Sequence, residues 1–197
     1  MYANILTGGI GCGKSTTARL LSLHGFKIID ADEISHKALD MAKECVIYEF
    51  GNSILTKDTH CIDRKKLGNI VFQDSIKKAK LESILHPIIR QNIIKECAIL
   101  EEKKSPFFID IPLYFESEYK YSARFVICVY ATKDIQIQRI QKRNNLDLQE
   151  AIKRIDSQLD IEIKKAQSDF IINNTSDLKA LQKNVESFLQ TFLKYYD

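Results

Sequence analysis

The sequence predicts an α/β fold, a parallel β-sheet flanked by helices, and three observations carry that expectation. A glycine-rich stretch, Gly8-Gly9-Ile10-Gly11-Cys12-Gly13-Lys14-Ser15, lies between the apolar run Ile5-Leu6-Thr7 and a helix-forming run from Ser15 to Leu21. Apolar blocks such as Phe107–Ile109 and Phe125–Tyr130 are continuous rather than alternating, and Phe26–Ile29 is interrupted only by Lys27, the pattern of strands buried on both faces. The stretches between them carry helical periodicity and are too long for hairpins.

The first strand and its loop come first. The stretch fits G-x-x-x-x-G-K-[ST] in the strand-to-helix context that gives the pattern its meaning, so the fold class is that of the P-loop NTPases. Gly9, Gly11 and Gly13 let consecutive backbone N–H groups curl around a phosphate, and the helix beginning near Gly13 adds the positive end of its dipole. Lys14 is expected to reach the β- and γ-phosphates of a nucleotide and not to pack, so that its loss changes stability little. The Ser15 hydroxyl is placed to ligate Mg²⁺.

Composition narrows the function classes. With 197 residues and 45% hydrophobic content the chain can build a real core as a single domain, and disorder is not expected. A net charge of +3 from 29 basic and 26 acidic residues is too weak to argue for nucleic acid. The five cysteines, Cys12, Cys45, Cys61, Cys97 and Cys128, form no C-x-x-C pair, which points to a reduced cytoplasm rather than disulfides or a zinc site. No apolar run approaches membrane-spanning length and there is no leader pattern, so a soluble protein without membrane or nucleic-acid partners is expected, and a monomer.

The first helix is expected to stop at His24-Gly25. A second strand, Phe26–Ile29, runs into Asp30-Ala31-Asp32, and carboxyl ends of parallel strands line the ligand crevice. Local sequence leaves open whether these aspartates serve that crevice or one of them caps the next helix, whose apolar stripe reads Ile34, Ala38, Met41 and Cys45. From 33 to 104 helical signals dominate: a helix ending at Gly51, a connector from Ile54 to Asp63, a short helix from Arg64 to Phe72, and two helices around Ser75–Leu85 and Pro87–Glu102. This reads as an inserted helical lobe covering an acceptor substrate. The core is assigned to residues 1–32, 105–135 and 168–197.

The next strand, Pro106–Pro112, is apolar until Asp110 at its carboxyl end. A carboxylate there either holds Mg²⁺ through water, as the second acidic element of phosphate-loop enzymes does, or forms a turn before Pro112. The strand Phe125–Tyr130 ends without an acid and reads as scaffold. A helix follows with Arg139 and Arg143 on one face beside Lys142, then a break at 144–147 and a helix carrying Arg154 and Gln158. Such charges are usually solvated surface, yet with a phosphate loop present they suit a lid, assigned to 136–167, that supplies cations to the transferred group. Asp169–Asn174 is the last strand, and Leu178, Leu181, Val185, Phe188 and Phe192 form the stripe of the closing helix.

In order, GGIGCGKST, IIDAD, DRKKLGNIVF, LHPIIR, DIPLYFE, a lid ending in Gln158, and DFIINNT resemble the dephospho-coenzyme A kinase family across nearly the whole chain. The phosphate loop is shared by many kinases; IIDAD, HPIIR and DIPLYFE in that order are more specific. The resemblance implies transfer of the γ-phosphoryl of ATP to the ribose 3′-hydroxyl of dephospho-coenzyme A, with Mg²⁺ accompanying ATP. It implies Asp32 as general base, a nucleotide loop that includes Cys12, Lys14, Ser15 and Thr16, lid cations Arg139 and Arg143, and an acceptor surface at Arg64, His86 and Pro112. Cys12, Tyr114 and Ser176 depart from the family's common serine, leucine and glycine. Other readings of the same loop are a kinase for another small hydroxyl compound and a nucleotide-dependent switch, although no N-K-x-D guanine-reading motif occurs.

Overall fold

A computed structural model describes residues 1–56 and 61–196. The strands are β1 (Ala3–Gly8), β2 (Ile28–Asp30), β3 (Phe107–Asp110), β4 (Val126–Tyr130) and β5 (Phe170–Asn173). They form one parallel sheet in the order β2-β3-β1-β4-β5. All six residues of β1 are buried, as expected of a central strand covered on both faces. Its two polar residues are satisfied internally: Asn4 donates to Tyr2 O and Phe107 O, and Thr7 Oγ1 donates to Pro112 O at 3.2 Å. Because β3 lies on one side of β1 and β4 on the other, the loop after β1 opens at the point where the strand order diverges, the usual crevice of such sheets.

The chain divides into two compact units, Met1–Asp30 with Cys97–Asp197, and Ala31–Glu96. The first contains the whole sheet, with α1 (Lys14–Leu23), α6 (Lys133–Asn144), α7 (Leu148–Asp156), α8 (Ile161–Ala166) and α9 (Leu178–Phe192). Its core joins Leu6, Phe108, Ile127 and Ile172 of the strands to Leu181, Val185, Phe188, Leu189 and Phe192 of α9. Leu178, expected in that stripe, is exposed; the packed face starts one turn later.

The second unit holds α2 (Ala31–Met41), α3 (Lys43–Phe50), a 3₁₀ turn (Asn52–Ile54), α4 (Arg64–Phe72) and most of α5 (Ser75–Glu101). Its core is Leu39, Ala42, Val46, Ile54, Ile62, Leu67 and Val71. Met41 and Cys45, expected in the stripe after the second strand, are exposed: a break at Ala42 separates α2 from α3 and turns the apolar face onto Leu39, Ala42 and Val46. Of the expected connector, Leu55 and Ile62 form an antiparallel bridge, while 57–60 lie outside the described residues. Asp63 caps α4 by accepting from the backbone N–H of Lys65 and Lys66.

Two helices were expected on either side of His86-Pro87, whereas α5 is continuous for 27 residues with Pro87 inside it. Proline removes one N–H and costs a helix interior about 3 kcal/mol. A long helix rich in Leu, Ile, Lys and Glu can absorb that single loss.

Candidate active site

The phosphate loop is built so that its backbone faces an anion. α1 starts at Lys14 with Gly13 as N-cap at φ 87°, no side chain caps it, and its first turn has no acidic residue. The leading N–H groups therefore keep their donors for a ligand, and the dipole favours negative charge there. Gly11, at φ 80°, also needs glycine, because a Cβ would stand 2.9 Å from Gln136 O. A Cβ on Gly13 would collide with the Asn174 carboxamide.

That carboxamide holds the loop in shape. Asn174 is buried, its Nδ2 donates to Cys12 O at 2.8 Å, and its Oδ1 accepts from Arg139 Nη2 at 3.3 Å. Arg139 also donates to Gly11 O at 3.3 Å and to Ser176 O at 3.2 Å. Ile10 N donates to Gln158 Oε1 at 2.8 Å, and Gln158, expected on the helix with Arg154, lies past its end because α7 stops at Asp156. Gln136 is buried under the loop and donates to Ala131 O at 3.0 Å. Gly9, Gly11, Cys12 and Gly13 thus form a loop that runs directly into Lys14, Ser15 and Thr16, with Ser15 and Thr16 exposed in the first turn of α1.

Lys14 departs from the expectation of a side chain that does not pack. Its ammonium is ion-paired with Asp110, with side-chain exposures of 13% and 8%. β3 aligns with β1 so that Asp110 is in register with Leu6, and with β2 so that it is in register with Asp30. The sheet therefore delivers two carboxylate-bearing strand ends and the lysine loop to one edge.

The two arginines that the sequence assigns to a lid differ. Arg139 touches the loop as described, whereas Arg143, in the last turn of α6, donates to Asn144 Oδ1 at 3.0 Å and is exposed. Pro112, just past β3, accepts at its carbonyl from Thr7. Asp32 does not stand at a strand end: β2 stops at Asp30, and Asp32 lies with Glu33 in the first turn of α2, where carboxylates favour the helix dipole. In the same unit Arg64 opens α4, donates to His36 O at 3.3 Å and lies 3.7 Å from Asp40, so it rests on α2; His86 is exposed on α5.

Burial pushes the Cys12 thiol up, favouring its neutral form within the loop. Burial likewise pushes Cys128 up to about 12, and the hydrogen bond that Tyr130 donates to Glu162 at 2.6 Å takes the phenol to about 12. Gln136 and Asn174, which shape the loop, are absent from the residues that the sequence singles out. Asn174 lies inside the motif DFIINNT, whereas Gln136, in α6, carries no motif signal.

Residues 4–180 match the family described as Dephospho-CoA kinase. A protein of that name from Helicobacter pylori (strain ATCC 700392 / 26695) is 47% identical over 95% of this chain and 96% of its own. A solved dephospho-CoA kinase from Campylobacter jejuni superposes with a TM-score of 0.76 at 38% identity, covering 100% of this chain and 99% of that one. The solved structure of TT1252 from Thermus thermophilus gives a TM-score of 0.81 at 28% identity, covering 96% of each chain. With a phosphate loop whose helix start is uncapped, and with these matches over almost its full length, the chain belongs to the dephospho-CoA kinase family.

Proposed function

We propose that this protein transfers the γ-phosphoryl group of ATP to the ribose 3′-hydroxyl of dephospho-CoA, giving CoA and ADP, the last step of CoA biosynthesis. The observation that carries the reading is the uncapped start of α1 beside the buried Lys14–Asp110 pair, in a chain of this family. The loop N–H groups and Lys14 bind and neutralise the phosphates, and Arg139 and Arg143 on the lid add positive charge as the phosphoryl group moves. Asp32 accepts the proton of the attacking hydroxyl, which is a poor nucleophile near neutral pH without such a partner. Arg64, His86 and Pro112 bind the acceptor, with Ala31–Glu96 as the acceptor lobe.

Mg²⁺ fits the donor set. No group of three or more His, Cys, Asp or Glu side chains able to hold a metal occurs among the described residues. A metal here would take most ligands from phosphates and water, the usual habit of Mg²⁺, with Ser15 and, through water, Asp110 as the protein's share. When bound it neutralises charge on the transferred group. Cysteines free of disulfides suit a reducing cytoplasm, and no helix among the described residues is long and apolar enough to cross a membrane. We take the working form as a monomer.

A panel of hydroxyl acceptors with labelled ATP tests the assignment. Label should pass to dephospho-CoA well ahead of other nucleotides and small alcohols; preferential labelling of another acceptor would replace the reading.

A further inference from the structure

A buried lysine stands outside the machinery assigned above. The Lys164 side chain, on α8, is 0% exposed; its Nζ lies 2.6 Å from Glu116 Oε1 and donates to Pro112 O at 3.5 Å. Burying an ammonium is costly even when it is paired, and an apolar side chain of similar size often serves packing as well or better. Packing alone therefore gives no reason for a charge here.

What the charge does is join segments far apart in sequence. Pro112 O also accepts from Thr7 Oγ1, one residue before the loop's Gly8. Glu116 Oε1 also accepts from Leu159 N at 3.1 Å, while the neighbouring Gln158 accepts from Ile10 N inside the loop. The contacts close a ring: phosphate loop, residues 158–159, Glu116, Lys164, Pro112, Thr7, and back to the phosphate loop. Lys164 and Glu116 supply the bonds between the lid side and the segment after β3.

We propose that Lys164 and Glu116 form a positioning pair that fixes the segment Pro112–Glu116 against the phosphate loop, setting the donor-to-acceptor distance without binding either substrate. The functional half of this inference rests on the assignment of Pro112 to the acceptor side. Phosphoryl transfer needs its reacting atoms held at near-contact distance, and a misplacement of about 1 Å costs about 10²-fold in rate. Loosening the pair should therefore appear in kcat and leave substrate binding largely intact.

The test uses Lys164→Met, which fills the buried space without charge, and Glu116→Gln, whose side chain is 24% exposed and keeps an acceptor for Leu159 N. Each variant should lose about 10²-fold in kcat with both KM values within about threefold of wild type, and the double variant should be no slower than the slower single one. Hydrogen exchange gives a reading that needs no acceptor: the Ile10 and Leu159 amides should exchange faster in Lys164→Met while β4 amides keep their protection. If wild-type protein fails to phosphorylate dephospho-CoA, the functional assignment falls, and the exchange measurement still decides on the pair. Unchanged kcat in Glu116→Gln, multiplicative losses in the double variant, or unaltered exchange at Ile10 and Leu159 would each overturn the inference.

Discussion

Lys14→Met should destabilise the fold as well as abolish turnover, and the size of the loss follows from the burial of its partner. Asp110 sits at the end of β3 with 8% of its side chain exposed, so removing the lysine leaves a carboxylate largely out of water. Breaking a buried pair by deleting one member costs about 3–5 kcal/mol. Methionine retains the apolar stem, so the loss should sit near the lower bound, about 3 kcal/mol. For a chain of this length each kcal/mol moves the melting midpoint by about 2–4 °C, which gives a fall of about 6–12 °C. Adding Asp110→Asn removes the buried negative charge that Lys14 no longer balances and should recover at least half of that fall without restoring activity. Urea or thermal melts of the single and double variants measure both quantities. A loss below about 1 kcal/mol in Lys14→Met, or no recovery in the double variant, would show that the pair does not bear on stability.

Three further outcomes are expected. Asp32→Asn keeps shape and removes the proton acceptor, so kcat should fall about 10²- to 10⁴-fold with substrate binding near normal by calorimetry; a larger loss in a folded Asp30→Asn than in Asp32→Asn would identify the wrong carboxylate. Arg143→Ala should lower kcat about 10²-fold with a smaller change in ATP affinity, whereas Arg139→Ala should weaken nucleotide binding too, since Arg139 braces Gly11, Asn174 and Ser176. In alkali, the fold favours neutral Tyr130 and Cys128, both pushed up to about 12 from 10.0 and 9.0. Their contribution to stability is complete below the ordinary values and is lost as pH climbs toward 12, so Tyr130→Phe should flatten the decline of the melting midpoint above pH 10.

The parts of the site that sequence made legible are those whose chemistry is local. The phosphate loop declares itself through glycine spacing and its strand and helix flanks, and Asp110 through its place at the end of an apolar run. The contacts that shape the loop have no local period. Asn174 reaches Cys12 across 162 residues and Lys14 reaches Asp110 across 96, and only the strand order β3-β1-β4-β5 brings them together. Lys164, beside Lys165 on a short helix, has the look of a solvated charge and is buried because Glu116 and Pro112 meet it from the segment after β3. Local sequence leaves the place of Asp32 open and suggests a break at Pro87 that α5 does not have. Asp32 joins α2 where its carboxylate suits the helix start, and the helix-forming residues on both sides of Pro87 carry α5 through a proline that alone signals a break.

The most direct measurement of the central claim is the mass of the acceptor after incubation with Mg-ATP, run in parallel on dephospho-CoA and on its 3′-deoxy analogue. The account predicts a gain of one phosphoryl group on dephospho-CoA, an equal amount of ADP, and no gain on the analogue. No gain on dephospho-CoA, or equal gain on the 3′-deoxy compound, would contradict it.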